Sequence, residues 1–352
     1  MAAAPPGREP RELTSGVDPF VGGGLEWSAL VAEDLEQLAE LRTAIEYFDD
    51  PVERLSLAEL EEYFSAPGAT PEADAVVGRD KGGTIVAYGW NHIRGLDVGE
   101  PQVWLDGGVH PAWRHQQLGR RLLEWQVARA QEWFDEIRLE HPELNRLLLT
   151  RFVEQKAGTH AHMMEAAGFT ARRWYFDMHR TFADDNGPRI LPSMPRTDGI
   201  GLQPYHPHFS EQVRLAHNEA FADVPGVHAV SRAAWEHSMR RRAARPEWSW
   251  VATVDGQVVG YAMNSAYVQD WEAQSFSEGW TDRLGVRPAW RGHNVGSALL
   301  IASMRTFLDA GLDGAGVGVD TTDPGGAVLL FESVGYEAEE MVVLYGRELV
   351  AG

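Results

Sequence analysis

The stretch Leu284-Gly285-Val286-Arg287-Pro288-Ala289-Trp290-Arg291-Gly292-His293-Asn294-Val295-Gly296-Ser297 reads as a strand end, a basic glycine-bearing turn and a helix start. Leu300, Met304, Phe307 and Leu308 then recur on one face of a helix over 295–310. A helix start leaves backbone N–H groups without partners, and the macrodipole adds partial positive charge there. Gly292 and Gly296 let a bound group approach the backbone, Asn294 tolerates a left-handed conformation, and Arg291 supplies a permanent cation. Such a turn suits a pyrophosphate. It also describes an ordinary glycine-capped strand-to-helix turn. The spacing is neither the G-x-G-x-x-G dinucleotide fingerprint nor a phosphate loop, since no Gly-Lys-Ser/Thr follows.

Moving outward, the pattern occurs twice. Pro111-Ala112-Trp113-Arg114 recurs letter for letter as Pro288-Ala289-Trp290-Arg291, and Leu105–His110 stands before the first copy where Asp282–Arg287 stands before the second. Leu118, Leu122, Trp125 and Trp133 give the first copy its amphipathic helix, interrupted by Arg129. Ala167-Gly168-Phe169 matches Val334-Gly335-Tyr336. Four elements in one order predict a duplicated domain. The expected division is an N-terminal arm over 1–24, a first domain over 25–185, a Pro- and Gly-bearing linker over 186–197 and a second domain over 198–352.

Each half reads as α/β, an α+β arrangement on a mixed sheet. The first predicts a helix over 34–48, a hairpin of 75–77 and 84–90 across Lys81-Gly82-Gly83, and a strand over 102–109. A helix over 118–139, a strand over 147–152, a short helix over 160–167 and a strand over 172–180 follow. The second predicts a helix over 211–221, a hairpin of 248–254 and 258–267 across Asp255-Gly256, and a strand over 279–286. The helix over 295–310, a strand over 315–320, a short helix over 326–333 and a closing strand over 336–347 complete it.

Length and composition agree with two domains: 352 residues with 44% hydrophobic side chains fill two cores. The net charge of −21 opposes nucleic acid and anionic membrane and attracts cationic small molecules. The absence of cysteine excludes disulfides, thiolate metal sites and a cysteine nucleophile. No apolar run reaches membrane-helix length and the first residues lack a signal-peptide pattern, so a cytoplasmic location is expected. His160 and His162 do not share a helical face, which argues against zinc, and no metal is expected.

The order from Leu284 to Gly296 resembles the acyl-CoA motif of the GNAT superfamily of N-acetyltransferases, Arg/Gln-x-x-Gly-x-Gly/Ala after a Val-x-Pro strand end. Asp323-Pro324-Gly325-Gly326-Ala327, Phe331-Glu332 and Gly335-Tyr336 are similar to that family's Asn-x-x-Ala, Leu-Tyr-Glu and Gly-Phe segment. The resemblance covers nearly the whole chain as two tandem GNAT domains, a mycothiol synthase-like arrangement. It implies acetyl-CoA as co-substrate, with a strand splayed near Leu284, Gly285 and Val286 pairing with the pantetheine arm. It also implies that the amides of Gly292, His293, Asn294, Val295, Gly296 and Ser297 hold the pyrophosphate beside Arg291, with Asp323 and Phe331 in the second cofactor-facing segment. Direct attack by a small-molecule amine follows, in the second copy. The first copy keeps one motif glycine, Gly119, and carries Gln117, ill suited to positive φ, so it reads as structural. A tandem pair mimics an internal dimer, leaving a monomer or a homodimer.

Direct transfer needs a base. Glu278 and Asp282 lie on the strand before the motif, and strict alternation puts Asp282 on one face with Trp280, Leu284 and Val286. Beside an aromatic cleft wall such a carboxylate would have a raised pKa; the other reading is a strand carboxylate paired with Arg283 or Arg287. Phe331 stands where the family often has a proton-donating Tyr, with Tyr336 and Tyr345 as substitutes in principle. That loss also fits a silent acyl-CoA sensor. Asn218, Glu219 and Asp223, at the end of the first helix of the second half, suit a polar or cationic acceptor or simply cap the helix. Arg240, Arg241, Arg242 and Arg245 read as a solvated helix end or an anion contact, and Trp235, Trp248 and Trp250 as core.

Overall fold

The computed structural model describes residues 24–49, 54–66, 68–95, 101–184, 187–188, 190–197, 199–224, 227, 229–321 and 326–351. The expected arm, apart from Gly24, and part of the expected linker lie outside them. The chain divides into two compact units, one of residues 1–172 with 344–352 and one of residues 173–343. This division differs from the sequence repeat at one point: most of the last strand of the first repeat, and the second half of the last strand of the second, are counted with the other unit.

In the first unit the strand order is β1 (Glu26–Ala29), β2 (Ala75–Arg79), β3 (Ile85–Arg94), β4 (Gln102–Val109), β5 (Arg146–Glu154) and then the end of β14 (Glu337–Val350). The first four pair antiparallel and β4 pairs parallel with β5. Helices α1 (Leu35–Asp49), α2 (Leu57–Phe64) and the short α3 (Pro71–Asp74) accompany the β1–β3 end. Leu38, Leu41, Leu60, Tyr88 and Trp90 form the core under α1 and α2. Helix α4 (Leu118–Ile137) buries Leu118, Leu122 and Trp125 against Val76, Ala87 and Val109. Helix α5 (Gly158–Ala166) leads to β6 (Thr170–Thr181). The interrupting Arg129 turns inward after all, its Nε donating to an Asp74 oxygen at 2.8 Å.

Most of β6 and the first half of β14 belong to the second unit. Its order is β9 (Gly201–Pro204), β10 (Trp250–Val254), β11 (Gln257–Ser265), β12 (Glu278–Val286), β13 (Gly314–Asp320) and β6. All pairs are antiparallel except β12 with β13. A two-residue pair, β7 (Ala183–Asp184) and β8 (Gly187–Pro188), follows β6. The β10–β11 turn falls at Asp255-Gly256, both at positive φ, as a tight hairpin requires. Strand β11 is buried along almost its whole length because helices cover both faces. On one face α6 (Ser210–Ala220) and α7 (Arg232–Ser238) enclose Val213, Trp235, Val258, Tyr261 and Met263. On the other, α9 (Val295–Asp309) and α10 (Ala327–Ser333) enclose Leu300, Met304, Phe307, Val317 and Phe331. Gly279 admits Phe307: a Cβ there would lie 2.3 Å from the ring. Helix α8 (Val268–Gln274) links β11 to β12.

One buried asparagine in each unit holds a corresponding place. Asn91 of β3 donates to the Gln126 carbonyl of α4 at 2.9 Å, and Asn264 of β11 donates to Ser303 Oγ of α9 at 2.9 Å. Each buried amide fixes the central strand to the helix that follows the basic turn, and each is satisfied on that side as burial demands.

Candidate active site

Strands β12 and β13 pair only at Glu278 with Gly314, Gly279 with Ala315 and Trp280 with Gly316. Beyond that, β12 stays paired with β11 through Val286, while β13 stays paired with β6 through Asp320. The two neighbours therefore diverge from Thr281 onward, and the edge of β12 carrying Leu284, Gly285 and Val286 is free of a partner strand on that side. The open end of this V leads to the basic turn.

There a 3-10 turn over Pro288–Trp290 is followed by Gly292 at φ +77° and Asn294 at φ +61°, and α9 begins at Val295. The amides from Gly292 to Ser297 have no hydrogen-bond partner among the described residues. No atom comes within 4 Å of where a Gly292 Cβ would sit, so the backbone is open there. Gly296 instead meets Leu330 of α10, a packing contact. His293 Nδ1 lies 3.0 Å from the Arg291 carbonyl, and Asn294 Nδ2 donates to Arg196. Arg291 is more a strut than a free cation: it donates to the Ala220 carbonyl at the end of α6 (2.6 Å) and to the Val286 carbonyl (3.4 Å).

The alternation expected along β12 is broken. Met263 pairs with Arg283 but Asn264 pairs with Thr281, so Asp282 is the extra residue of a β-bulge. Leu284 and Val286 pack toward α9. Asp282 points to the opposite face, where it keeps Trp280 as a facial neighbour and gains Arg283. Ser265 Oγ and the Tyr267 hydroxyl both donate to its carboxylate, the latter at 2.9 Å. No ion pair to Arg283 or Arg287 forms. Crowding by protein raises the carboxyl pKa, against the lowering effect of the two hydroxyls and of the charges on Arg241 and Arg283. Arg283 lies over the Trp235 ring, and its own pKa is lowered by burial.

Glu278 is buried and committed. Its carboxylate lies 2.9 Å from Nδ1 of His179 on β6, and the His179 ring meets Trp280 edge-on at 5.6 Å between centroids. Burial alone would lower the His179 pKa; the hydrogen bond and charge of Glu278, with Glu339 and Asp177 nearby, more than reverse it. Trp280 lies across β13 where glycine makes room, since a Cβ at Gly316 would sit 2.1 Å from the indole. Tyr267 closes the group, edge-on to Trp280 at 6.5 Å. His179, Trp280, Tyr267, Asp282 and Ser265 thus line one side of the V, and of these only Trp280 and Asp282 were singled out from sequence. His179 belongs to the first repeat, and only the sheet brings it here.

The expected acceptor residues are mostly spoken for. Asn218 exchanges two hydrogen bonds with the Val230 backbone (2.8 and 3.2 Å), and Glu219 pairs with Arg287. Asp223 is exposed in the turn after α6. On the same helix, His217 sits 2.6 Å from the Tyr261 hydroxyl, and burial, aided by the charge of Arg283, lowers its pKa to about 4. Phe331 is buried against Tyr336, whose hydroxyl is buried without a partner among the described residues. Tyr345 lies in the first unit, its hydroxyl 3.4 Å from Glu165, so it is no substitute acid here. Asp323 lies outside the described residues.

Known proteins share this architecture. The family profile of the acetyltransferase (GNAT) domain matches residues 245–338. A mycothiol acetyltransferase of Thermobispora bispora is 28% identical over 272 residues, 75% of this chain and 83% of that protein. A GCN5-related N-acetyltransferase from Sphaerobacter thermophilus superposes with a TM-score of 0.71 at 22% identity, covering 95% of this chain and 98% of its own. A tandem GNAT protein from the clavulanic acid biosynthesis pathway superposes with a TM-score of 0.64 at 19% identity, covering 93% and 99%. The bulged, splayed strand and the basic turn fall inside the matched segment: residues 245–338 match an acetyltransferase (GNAT) domain, and the chain has the fold of tandem GNAT proteins and is similar to acetyltransferases of that kind.

Proposed function

We propose that this chain transfers the acetyl group of acetyl-CoA to the primary amine of a small molecule by direct attack, and that the second sequence repeat carries the reaction. The observation that carries the reading is the run of partnerless amides from Gly292 to Ser297 at the open end of the V between β12 and β13. A diphosphate fits such a run because it accepts several N–H bonds and its charge is favoured at a helix N-terminus. The free edge of β12 at Leu284–Val286 then offers backbone groups to an extended pantetheine arm, as an added strand would use them. Arg291 holds the turn to α6 and β12 rather than spending its fork on the ligand.

Acetyl-CoA supplies the thioester as the electrophile. Asp282 faces the side of the V away from α9 and receives the ammonium of the acceptor, which the surface charge of −21 draws in. Ser265 and Tyr267 keep that carboxylate in one orientation. With Phe331 unable to donate a proton, thiolate leaves without a protein acid.

Acetyl-CoA binding by calorimetry and thiol release with a panel of amines test this directly. Wild type should bind and release thiol, and Asn294→Asp, which sets a carboxylate beside the diphosphate, should weaken binding by about tenfold or more. No binding, or binding indifferent to Asn294→Asp and Arg291→Ala, defeats the reading. A narrower version is favoured by relatives that carry the name mycothiol acetyltransferase at 24–29% identity: the acceptor would be a cysteinyl amine, as in mycothiol synthase-like chemistry. Comparing that acceptor with simple polyamines and aminoglycosides in the same assay decides it.

A further inference from the structure

We infer that His179, on the strand donated by the first repeat, takes the proton from the acceptor ammonium, with Glu278 holding its ring; the inference rests on the acetyl-transfer reading above. The pair sits where the V closes. His179 is the β6 partner of Gly316, and Gly316 is the last β13 partner of Trp280 before β12 and β13 part. Its ring touches Trp280, and Trp280 touches Tyr267, which donates to Asp282. Imidazole and carboxylate therefore share one wall, on the face away from α9.

The ring is oriented for the task. Nδ1 is taken by Glu278 at 2.9 Å, which leaves Nε2 as the exchanging atom. Nε2 makes no hydrogen bond among the described residues and is not one of their fully buried partnerless atoms, so it is not sealed from solvent. The side chain is only 13% exposed, enough for a proton to reach it and little enough to fix its geometry. The groups facing it are Glu278 of β12, Glu339 of β14, Asp177 of its own strand and the Trp280 ring, with Asp282 and Tyr267 beyond. That acidic surround keeps imidazole basic, the opposite of the buried His217, which stays neutral to about pH 4.

Proton and electron pairs balance as follows. The ammonium N–H proton moves to Nε2, directly or through one water. The freed nitrogen pair forms the C–N bond at the thioester carbon, the C–S bond breaks with its pair on sulfur, and the remaining surplus N–H proton goes to thiolate. Imidazolium returns its proton to solvent. Asp282 anchors the ammonium electrostatically, and Glu278 acts only through His179.

The test is the pH dependence of kcat/KM for an acceptor with a lysine-like amine, whose own limb lies near pH ~10. Wild type, His179→Gln, His179→Ala and Glu278→Gln are compared, with acetyl-CoA binding measured alongside. Wild type should rise through a limb above the ordinary histidine value. His179→Gln should lose about 100-fold and that limb, with coenzyme affinity unchanged. Added imidazole should restore part of the activity of His179→Ala. Glu278→Gln should move the limb to lower pH, because the carboxylate that raises it is gone. Activity within twofold of wild type in His179→Gln, or a limb that stays put in Glu278→Gln, overturns the inference while leaving acetyl transfer intact. A wild-type protein that binds acetyl-CoA but releases no thiol with any amine overturns both.

Discussion

The two basic turns are built alike and the strands that enter them are not. In the first unit Arg114 donates to the Val109 carbonyl at 3.2 Å and to both oxygens of Asp49 at the end of α1 (2.6 and 2.8 Å). In the second, Arg291 donates to the Val286 carbonyl and to the last carbonyl of α6. His115 and Gln117 take φ +63°, where Gly292 and Asn294 take +77° and +61°. Gln117 thus adopts the conformation that its Cβ disfavours, contrary to expectation, because the arginine strut and the helix start fix the backbone around it. The amides from His115 to Arg120 are also without partners among the described residues. The strands differ: β3 and β4 pair without interruption from Ala87 with Val109 to Arg94 with Gln102, whereas β12 carries one extra residue. That residue is Asp282. Duplication kept the turn, and a single bulge separates the two reaction ends.

The sharpest way to probe that difference is to remove the charge and keep the bulge. Asp282→Asn retains size and both hydroxyl neighbours, so the fold should hold. If Asp282 meets the acceptor ammonium, kcat/KM for the amine should fall by about 100- to 1000-fold, mostly in KM, with acetyl-CoA affinity unchanged. A loss under fivefold would make the bulge a structural detail, and the difference between the units that chemistry uses would have to lie elsewhere, at His179 and Glu278.

A second contrast is one of similarity. Each unit buries one histidine whose pKa is lowered to about 4, His92 in the first and His217 in the second, both chiefly by desolvation. His92 is stacked between Trp90 and Trp104 at centroid distances of 4.6 and 4.9 Å. The folded state holds these rings neutral while the unfolded chain protonates near pH ~6.5. Stability from each is therefore present above pH ~6.5 and lost as pH falls toward 4, on the order of 2 kcal/mol per ring. Chemical denaturation between pH 7 and 4 reads the slope, and His217→Gln should flatten the part belonging to the second unit. An unchanged slope would mean that His217 reaches water when folded.

The fold was legible because its signals are local and repeated. The hairpin at Asp255-Gly256, the strand over 102–109 and the helix from Val295 formed within a residue or two of expectation, and the hairpin at Lys81-Gly82-Gly83 formed with its second strand running four residues further, to Arg94. Short elements were missed: α2, α7, α8 and the edge strands β1 and β9 are too brief for a period to emerge. For α2 a signal existed, since Ser56 and Glu59 form a capping box with Glu59 Oε2 accepting from Ser56 N at 3.0 Å. The bulge was invisible because alternation carries no mark of one extra residue. His179 was invisible because its partner lies 99 positions along the chain, on a strand of the other repeat.

The smallest effect bears on the turn itself. A residue with a Cβ in the left-handed region costs about 1–2 kcal/mol, and glycine gives back part of that through the entropy of the unfolded chain. His115→Gly and Gln117→Gly should each stabilise the first unit by about 0.5–1 kcal/mol, a rise of a few degrees in Tm. The reciprocal change, Gly292→His, finds open space for its Cβ, so its cost in stability should come chiefly from the left-handed backbone, about 1 kcal/mol. If the second turn holds a diphosphate, Gly292→His should also weaken acetyl-CoA binding, because the imidazole then crowds the amides that glycine leaves open. Equal Tm changes of opposite sign with no change in affinity would mean that the glycine serves backbone geometry only, as the first turn manages without it. A loss of affinity larger than the loss of stability would mean that glycine was kept in one turn and given up in the other because only one of them has a ligand to admit.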